Sequence, residues 1–380
     1  MNRKLLAAAV AGAIGVPTTA MAELTINGLL SPSINYVSTF DRGDADSDRV
    51  SLEDNQSDIG FKWDEDLGAG TKFIGYIDLS IPIGDPGITG NGGSGVTTRD
   101  VYAGFDGGWG RVIFGDASTS WKSSYAAIDP LYRTSAQARG GIDQVSGLSA
   151  GDGKTNLPGT QNSVTRGRAS NLVRYDTPSF GGLKGVAWIS LEENPVQDTA
   201  DVFDGSGYGI GVHYDTGPFF ASFDWQRDES IDANGGDKDA FAFTGKYTAD
   251  PFALWARFEY DGGAISVVEQ LGGTRFGVGE TQDAHYAYAG VSYNITPNNV
   301  LFGTYAHRFE SETKNVPGLG NVDNDDAIDA FLVALAHGLS KRTWLYAGYG
   351  YNSVGEGGQD VTPGRPGDFH VVTAGIKHSF

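Results

Sequence analysis

Four basic residues, Lys62, Arg111, Arg174 and Arg257, stand between apolar or small neighbours: Phe61 and Trp63, Gly110 and Val112, Val173 and Tyr175, Ala256 and Phe258. In an extended chain successive side chains point to opposite faces, so each charge faces away from its flanks. Fixed cations along one wet wall steer and pass ions without making or breaking bonds. Other patterns build no reaction centre. Gly151-Asp152-Gly153-Lys154-Thr155 resembles the end of a phosphate loop, but Leu148 holds the first glycine position and no strand leads into it. The 6 histidines lack metal-ligand spacing, and the absence of cysteine excludes thiol redox chemistry and thiolate metal sites. The sequence offers no nucleophile–histidine–carboxylate set, so neither a cofactor nor a metal is expected, and no enzyme.

The elements that must carry these charges alternate at period two, as a strand with one wet face does. Ile59, Phe61 and Trp63 alternate with Asp58, Gly60 and Lys62, and Leu254, Ala256, Phe258 and Tyr260 with Trp255, Arg257 and Glu259. Phe219, Ala221, Phe223 and Trp225 do the same against Ser222 and Asp224. The whole chain reads as about sixteen strands of roughly ten residues, the length of a tilted membrane strand. They fall at 24–37, 52–65, 70–82, 98–106, 110–116, 168–177, 183–191, 206–215, 218–228, 238–248, 252–261, 284–294, 299–310, 327–338, 343–353 and 369–380. Tight connections such as Leu67-Gly68-Ala69-Gly70, Thr216-Gly217-Pro218 and Thr296-Pro297-Asn298 alternate with long polar ones. An up-and-down antiparallel barrel in an outer membrane has this rhythm, with short turns at one end and long loops at the other. A soluble sandwich has no reason to keep it.

Composition agrees. Hydrophobic residues make up 39% and glycines number 56 of 380, a turn-rich chain with little three-dimensional core, while 12% aromatic content argues against disorder. Residues 1–22 read as a signal peptide: Arg3 and Lys4, an apolar stretch from Leu5 to Val16, then Ala20-Met21-Ala22. Their removal leaves a barrel of residues 23–380 and takes the net charge from −20 to −22. Such an acidic chain is a poor partner for nucleic acid.

Trp109, Phe180, Phe219, Phe252, Trp344 and Phe380 cluster beside the short turns, as an interfacial aromatic girdle would. The chain ends in mid-strand on Phe380, with Val372, Ala374, Ile376 and His378 on the same face. Pairing of that strand with Leu24 to Leu30 would remove both sheet edges.

Four stretches resemble the general porins of Gram-negative bacteria, the sixteen-stranded trimeric kind, over essentially the whole mature chain. They are Ala374-Gly375-Ile376-Lys377-His378-Ser379-Phe380; Arg99 to Phe105 with Trp109 to Gly115; Asn171 to Gly182; and Leu339-Ser340-Lys341-Arg342-Thr343. The resemblance implies a homotrimer passing ions and small hydrophilic solutes, set among outer-membrane lipid and lipopolysaccharide. It also implies a terminal strand (Val372, Ala374, Ile376, His378, Phe380) read by the barrel-assembly machinery. The family folds its third outside loop into the lumen, and the connection at about 116–167, with Ala127-Ile128-Asp129-Pro130-Leu131, stands in that place. Such a loop would set Asp116, Asp129 and Asp143 against the basic wall of Lys62, Arg111, Arg174 and Arg257 at a constriction. Asp116 is a departure, because the family often has a basic residue there.

Loops 41–58 and 321–329 are rich in Asp. Asp323, Asp325 and Asp326 could offer oxygens to a divalent cation, but Ala327 and Ile328 break the EF-hand pattern, and hydration of an exposed loop is the simpler account. Arg42-Gly43-Asp44 is an adhesion tripeptide that an Asp-rich loop produces by chance. A solute-specific channel would call for an aromatic track or a cluster of one charge, a barrel enzyme for a catalytic set, and an adhesive barrel for an appendage. None stands out in the sequence.

Overall fold

The computed structural model describes residues 23–39, 48–83, 96–138, 167–191, 206–229, 237–265, 270–271, 274–275, 282–316, 320–324, 327–354 and 368–380. Its framework is a closed antiparallel barrel of 16 strands. Two of the staves are broken in the middle. The first is β1 (Glu23–Leu30) and β2 (Pro32–Thr39), the second β3 (Asp48–Asp54) and β4 (Asp58–Gly68). Then follow β5 (Thr71–Ser80), β6 (Thr97–Gly107), β7 (Gly110–Ser118), a helix α1 (Ser120–Ile128), β8 (Arg168–Asp176), β9 (Leu183–Ser190), β10 (Gly207–Thr216) and β11 (Phe219–Asp228). After β12 (Lys238–Ala249) and β13 (Phe252–Ile265) comes a small hairpin, β14 (Gln270–Leu271) and β15 (Thr274–Arg275). Next are β16 (Gln282–Thr296) and β17 (Asn299–Arg308), then a second hairpin, β18 (Ser311–Val316) and β19 (Gly320–Asn324). The chain ends with β20 (Ile328–Gly338), β21 (Thr343–Val354) and β22 (Phe369–Ser379). The barrel closes where β22 pairs with β2, as in Thr373 opposite Asn35, and with the end of β1.

The sequence reading differs from this in a few places, each with a local cause. Pro32 has no N–H for the ladder, so the first stave breaks at Ser31. The second stave breaks opposite it at residues 55–57, and side chains replace the lost ladder bonds. Ser31 N–H donates to Ser57 Oγ at 2.9 Å, and the Asn55 amide donates to Ser31 O at 2.7 Å. The segments read as acidic loops are partly strand: Asp48–Asp54 is β3, Asp58 opens β4, and Gly320–Asn324 is β19. Arg42, Asp44, Asp325, Asp326 and the Gly151–Thr155 run lie outside the described residues.

Alternation sets the two faces of the wall. On β12, Phe243 is 55% exposed while its neighbour Ala242 is buried. On β20, Val333 is 54% exposed beside buried Ala334. A band of exposed apolar side chains suits hydrocarbon outside, and the opposite face turns inward.

Glycine has a use on that inward face. Trp188 lies over Gly209, Trp255 over Gly290, Tyr346 over Gly375 and Tyr76 over Gly60, each ring filling the space a Cβ would need on the neighbouring strand. Large rings thereby lie flat against the wall instead of standing into the lumen.

Candidate functional site

The functional geometry starts at residues 119–138, which leave the wall after β7. Ser120–Ile128 make two turns of helix, and the turn after it is drawn together by Asp129. Its carboxylate accepts Leu131 N–H at 2.9 Å and Ala138 N–H at 2.6 Å. Burial raises the Asp129 pKa to about 6, against the lowering effect of those two N–H donors and of Lys377 and Lys246.

The segment is held to the wall by apolar packing and by hydrogen bonds to several strands. Ile128, Leu131, Ala136 and Ala138 join one cluster with Trp255, Tyr288, Val300, Phe302, Ala330 and Tyr346 of β13, β16, β17, β20 and β21. Arg257 on β13, 2% exposed, donates to Ser124 Oγ and Thr244 Oγ1, both at 2.6 Å, and to Glu259 at 2.5 Å. Its guanidinium carbon stands 4.9 Å from the centre of the Trp121 ring, a cation–π arrangement. Lys246 on β12 donates to Ala127 O at 3.2 Å, and Lys377 on β22 to Tyr132 O at 2.5 Å. Ser135 Oγ meets Tyr346 OH at 3.0 Å, and Ser31 Oγ donates to Arg133 O at 2.7 Å. Arg133 itself pairs with Asp58 at the start of β4.

The wall formed by β4 to β8 carries interleaved charges. Arg99 lies 3.2 Å from Asp78 and 3.9 Å from Asp58. Arg168 meets Asp100 at 2.5 Å, and Ser118 Oγ donates to the same carboxylate at 3.0 Å. Arg174 and Arg111 divide the two oxygens of Asp176: Arg174 takes Oδ1 at 2.8 Å through Nη2, and Arg111 Nε takes Oδ2 at 2.8 Å. Lys122 on α1 is pulled down to about 7, by burial first and then by nearby Arg168, with Asp100 opposing.

The residues singled out from sequence are distributed over this geometry. Lys62 is exposed on β4, opposite Tyr76, and has no ion pair among the described residues. Arg111 and Arg174 meet at Asp176, whereas Arg257 is sealed beneath α1. Asp116 lies within β7 rather than in the connection, and its carboxylate accepts Asn171 N–H at 3.1 Å, next to the register shift where β7 meets β8. Asp129 is the internal acceptor just described, and Asp143 lies outside the described residues. Along β22, Val372 and Ala374 are exposed and Ile376 and His378 half-buried. Phe380 exchanges two backbone hydrogen bonds of 3.1 Å with Gly28, and its ring covers that glycine.

Arg99, Arg133, Arg168, Lys122 and their partners Asp58, Asp78 and Asp100 were not singled out from sequence. One signal was available for the paired arginines, since Arg174 and Asp176, like Arg257 and Glu259, are two apart and share a strand face. No such spacing marks Arg133, whose partner is distant in the chain. Among the described residues, no group of three His, Asp or Glu side chains could hold a metal ion.

Comparison with known proteins agrees with this architecture. The profile of the Gram-negative porin family matches residues 6–357. The major outer membrane protein P.IB of Neisseria lactamica is 26% identical over 399 aligned residues, covering 100% of both chains. Outer membrane porin protein 32 of Delftia acidovorans is 26% identical over 338 residues, covering 86% of this chain and 91% of its own. Among solved structures, the anion-selective porin from Comamonas acidovorans superimposes with a TM-score of 0.68 at 23% identity, over 95% of this chain and 100% of that one. OmpF of Salmonella typhi gives 0.65 at 15% identity, over 94% and 97%. With strands, closure, an apolar outer band and the family profile in agreement, this chain belongs to the Gram-negative porin family and is an outer-membrane diffusion channel.

Proposed function

We propose that residues 119–138 narrow the water column of this channel, and that small hydrophilic solutes pass between them and the wall of β4 to β8. The observation that carries the reading is the reach of the segment's hydrogen bonds. They run to Lys246 and Arg257 on β12 and β13, to Tyr346 and Lys377 on β21 and β22, and to Ser31 between β1 and β2. A segment bonded to staves on several sides of a closed barrel crosses its interior. The side packed against β13–β21 is filled by side chains, so water and ions are left the charged side.

There the constriction has acids and bases interleaved. Arg99, Arg111, Arg168 and Arg174 on the wall, with Arg133 and Lys122 from the segment, face Asp58, Asp78, Asp100 and Asp176. Such a surface wets the passage and leaves a modest excess of positive charge, which suits general diffusion with a lean toward anions. Lys62, Arg111 and Arg174 belong to the basic side of this path, while Asp129 and Arg257 hold the segment in position. Passage down a gradient needs no catalytic group, cofactor or metal.

Family membership, and for export the make-up of residues 1–22, support the rest of the reading. The chain works as a homotrimer, is exported by residues 1–22, and starts at Glu23 when mature. It is inserted by the barrel-assembly machinery through its terminal strand, among outer-membrane lipid and lipopolysaccharide. Reconstitution into planar bilayers across a salt gradient tests the core of this. Open-channel steps in groups of three with a small reversal potential are expected. Properly folded protein that conducts nothing would overturn the reading.

A further inference from the structure

One part of the inner wall departs from the pattern of paired charges. Toward the short-turn end, Asn27, Lys62, Tyr76, Tyr102, Asp106 and Arg111 surround one hollow. Register brings them together: Lys62 stands opposite Tyr76, Tyr76 opposite Tyr102, and Asp106 opposite Arg111. Among the described residues, the Lys62 ammonium, the Asp106 carboxylate and both tyrosine hydroxyls have no hydrogen-bond partner. Arg111 binds Asp176 through Nε and Nη2 only, which leaves Nη1 without a described acceptor. Tyr76 lies over Gly60, so it shows a ring face to the lumen rather than an edge. The Tyr102 ring is tilted against it at 5.8 Å and 51°.

We propose that this hollow is a weak binding site for planar aromatic carboxylates. A flat ring gains offset stacking on Tyr76. Its carboxylate lies between Lys62 and the free nitrogen of Arg111, where two cations exceed the single charge of Asp106. An aliphatic acid of equal charge has the cations but no face to stack. Weak attachment beside the path raises the local concentration of such solutes without trapping them, as conduction requires. The proposal rests on solute flow through this lumen.

The test is the current of the reconstituted protein in potassium chloride, with benzoate or cyclohexanecarboxylate added on either side. Benzoate is expected to halve the current at a concentration roughly 3- to 10-fold lower than cyclohexanecarboxylate does. Tyr76→Leu should remove that difference, and Lys62→Gln should weaken the action of both acids. Lys62 is exposed and unpaired, so its variant reports even if Tyr76→Leu does not fold. Equal action of the two acids on the wild type, or a Lys62→Gln variant indistinguishable from it, would overturn the site. A wild type that passes no potassium chloride current would refute the diffusion reading itself.

Discussion

Arg174 and Asp176, two residues apart on β8, are joined by a fork in which Nε and Nη2 both reach Oδ1, at 2.9 and 2.8 Å. Arg111 occupies the other oxygen, so one carboxylate serves two guanidinium groups. Asp176→Asn would leave both with an amide. Removing one partner from a buried ion cluster destabilises by about 3–5 kcal/mol, and the added positive charge favours anions. The expected result is a lower unfolding temperature by circular dichroism and a reversal potential displaced toward anion preference. An unchanged potential would place this trio away from the ion path.

Arg257 holds α1 to the wall, with Glu259, Thr244, Ser124 and the Trp121 ring as its partners. Arg257→Met strands the buried Glu259 carboxylate and frees the helix. A loss of about 3–5 kcal/mol in stability is expected, together with noisier and larger open-channel currents. Arg257→Lys keeps the charge but cannot reproduce the planar fork, and should fall between the two. Quiet, wild-type currents from Arg257→Met would show that α1 is held without it.

The Asp129 turn should respond to acid in an unusual direction. Burial lifts this carboxyl to about 6, so the folded turn holds its proton more tightly than the unfolded chain does. Its contribution is greatest below pH ~4, is lost as pH rises to about 6, and is constant above that, a span of roughly 3 kcal/mol for an isolated group. Amide exchange at Leu131 and Ala138 reads it directly, since both N–H groups bind the carboxylate. Protection factors should fall between pH ~4 and ~6 in the wild type. In Asp129→Asn they should be flat with pH, and one of the two amides should lose about tenfold or more of its protection.

Asp116→Asn makes a contrasting case. The carboxylate receives Asn171 N–H and sits beside the register shift of β7 against β8, and Asn can keep one such acceptor. A change in stability of about 1 kcal/mol or less is expected, with no displacement of reversal potential. A clear displacement would put Asp116 on the ion path.

The wall was readable because hydrocarbon on one side and water on the other impose period two, and nearly every stave stands where that alternation put it. The breaks in the first two staves are not apparent from period two alone, although Pro32, with no N–H for the ladder, marks where the first must give way. Helix α1 and its seat were not legible, because Ile128 and Leu131 find Val300 and Phe302 only after the barrel has closed. Parity put Arg257 on the face opposite its apolar neighbours but could not tell a wetted charge from one roofed by a helix. The high glycine content was read as turns, whereas part of it makes room for Trp188, Trp255, Tyr346 and Tyr76, a pairing visible only in the register.

The apolar seat of residues 128–138 sets apart two stretches of the wall that tolerate change differently. Against β13–β21 the segment is packed like the core of a soluble protein, where a gained or lost methylene is felt. Along β4 to β8 the contacts are ion pairs instead, where a change at an exposed charge such as Lys62 disturbs little while a change at a shared buried carboxylate such as Asp176 strands its partners. Drift in charge is therefore open at the exposed positions of that wall and closed at its shared carboxylates, so that lineages carrying this framework can vary the one kind of position without relearning how to fold.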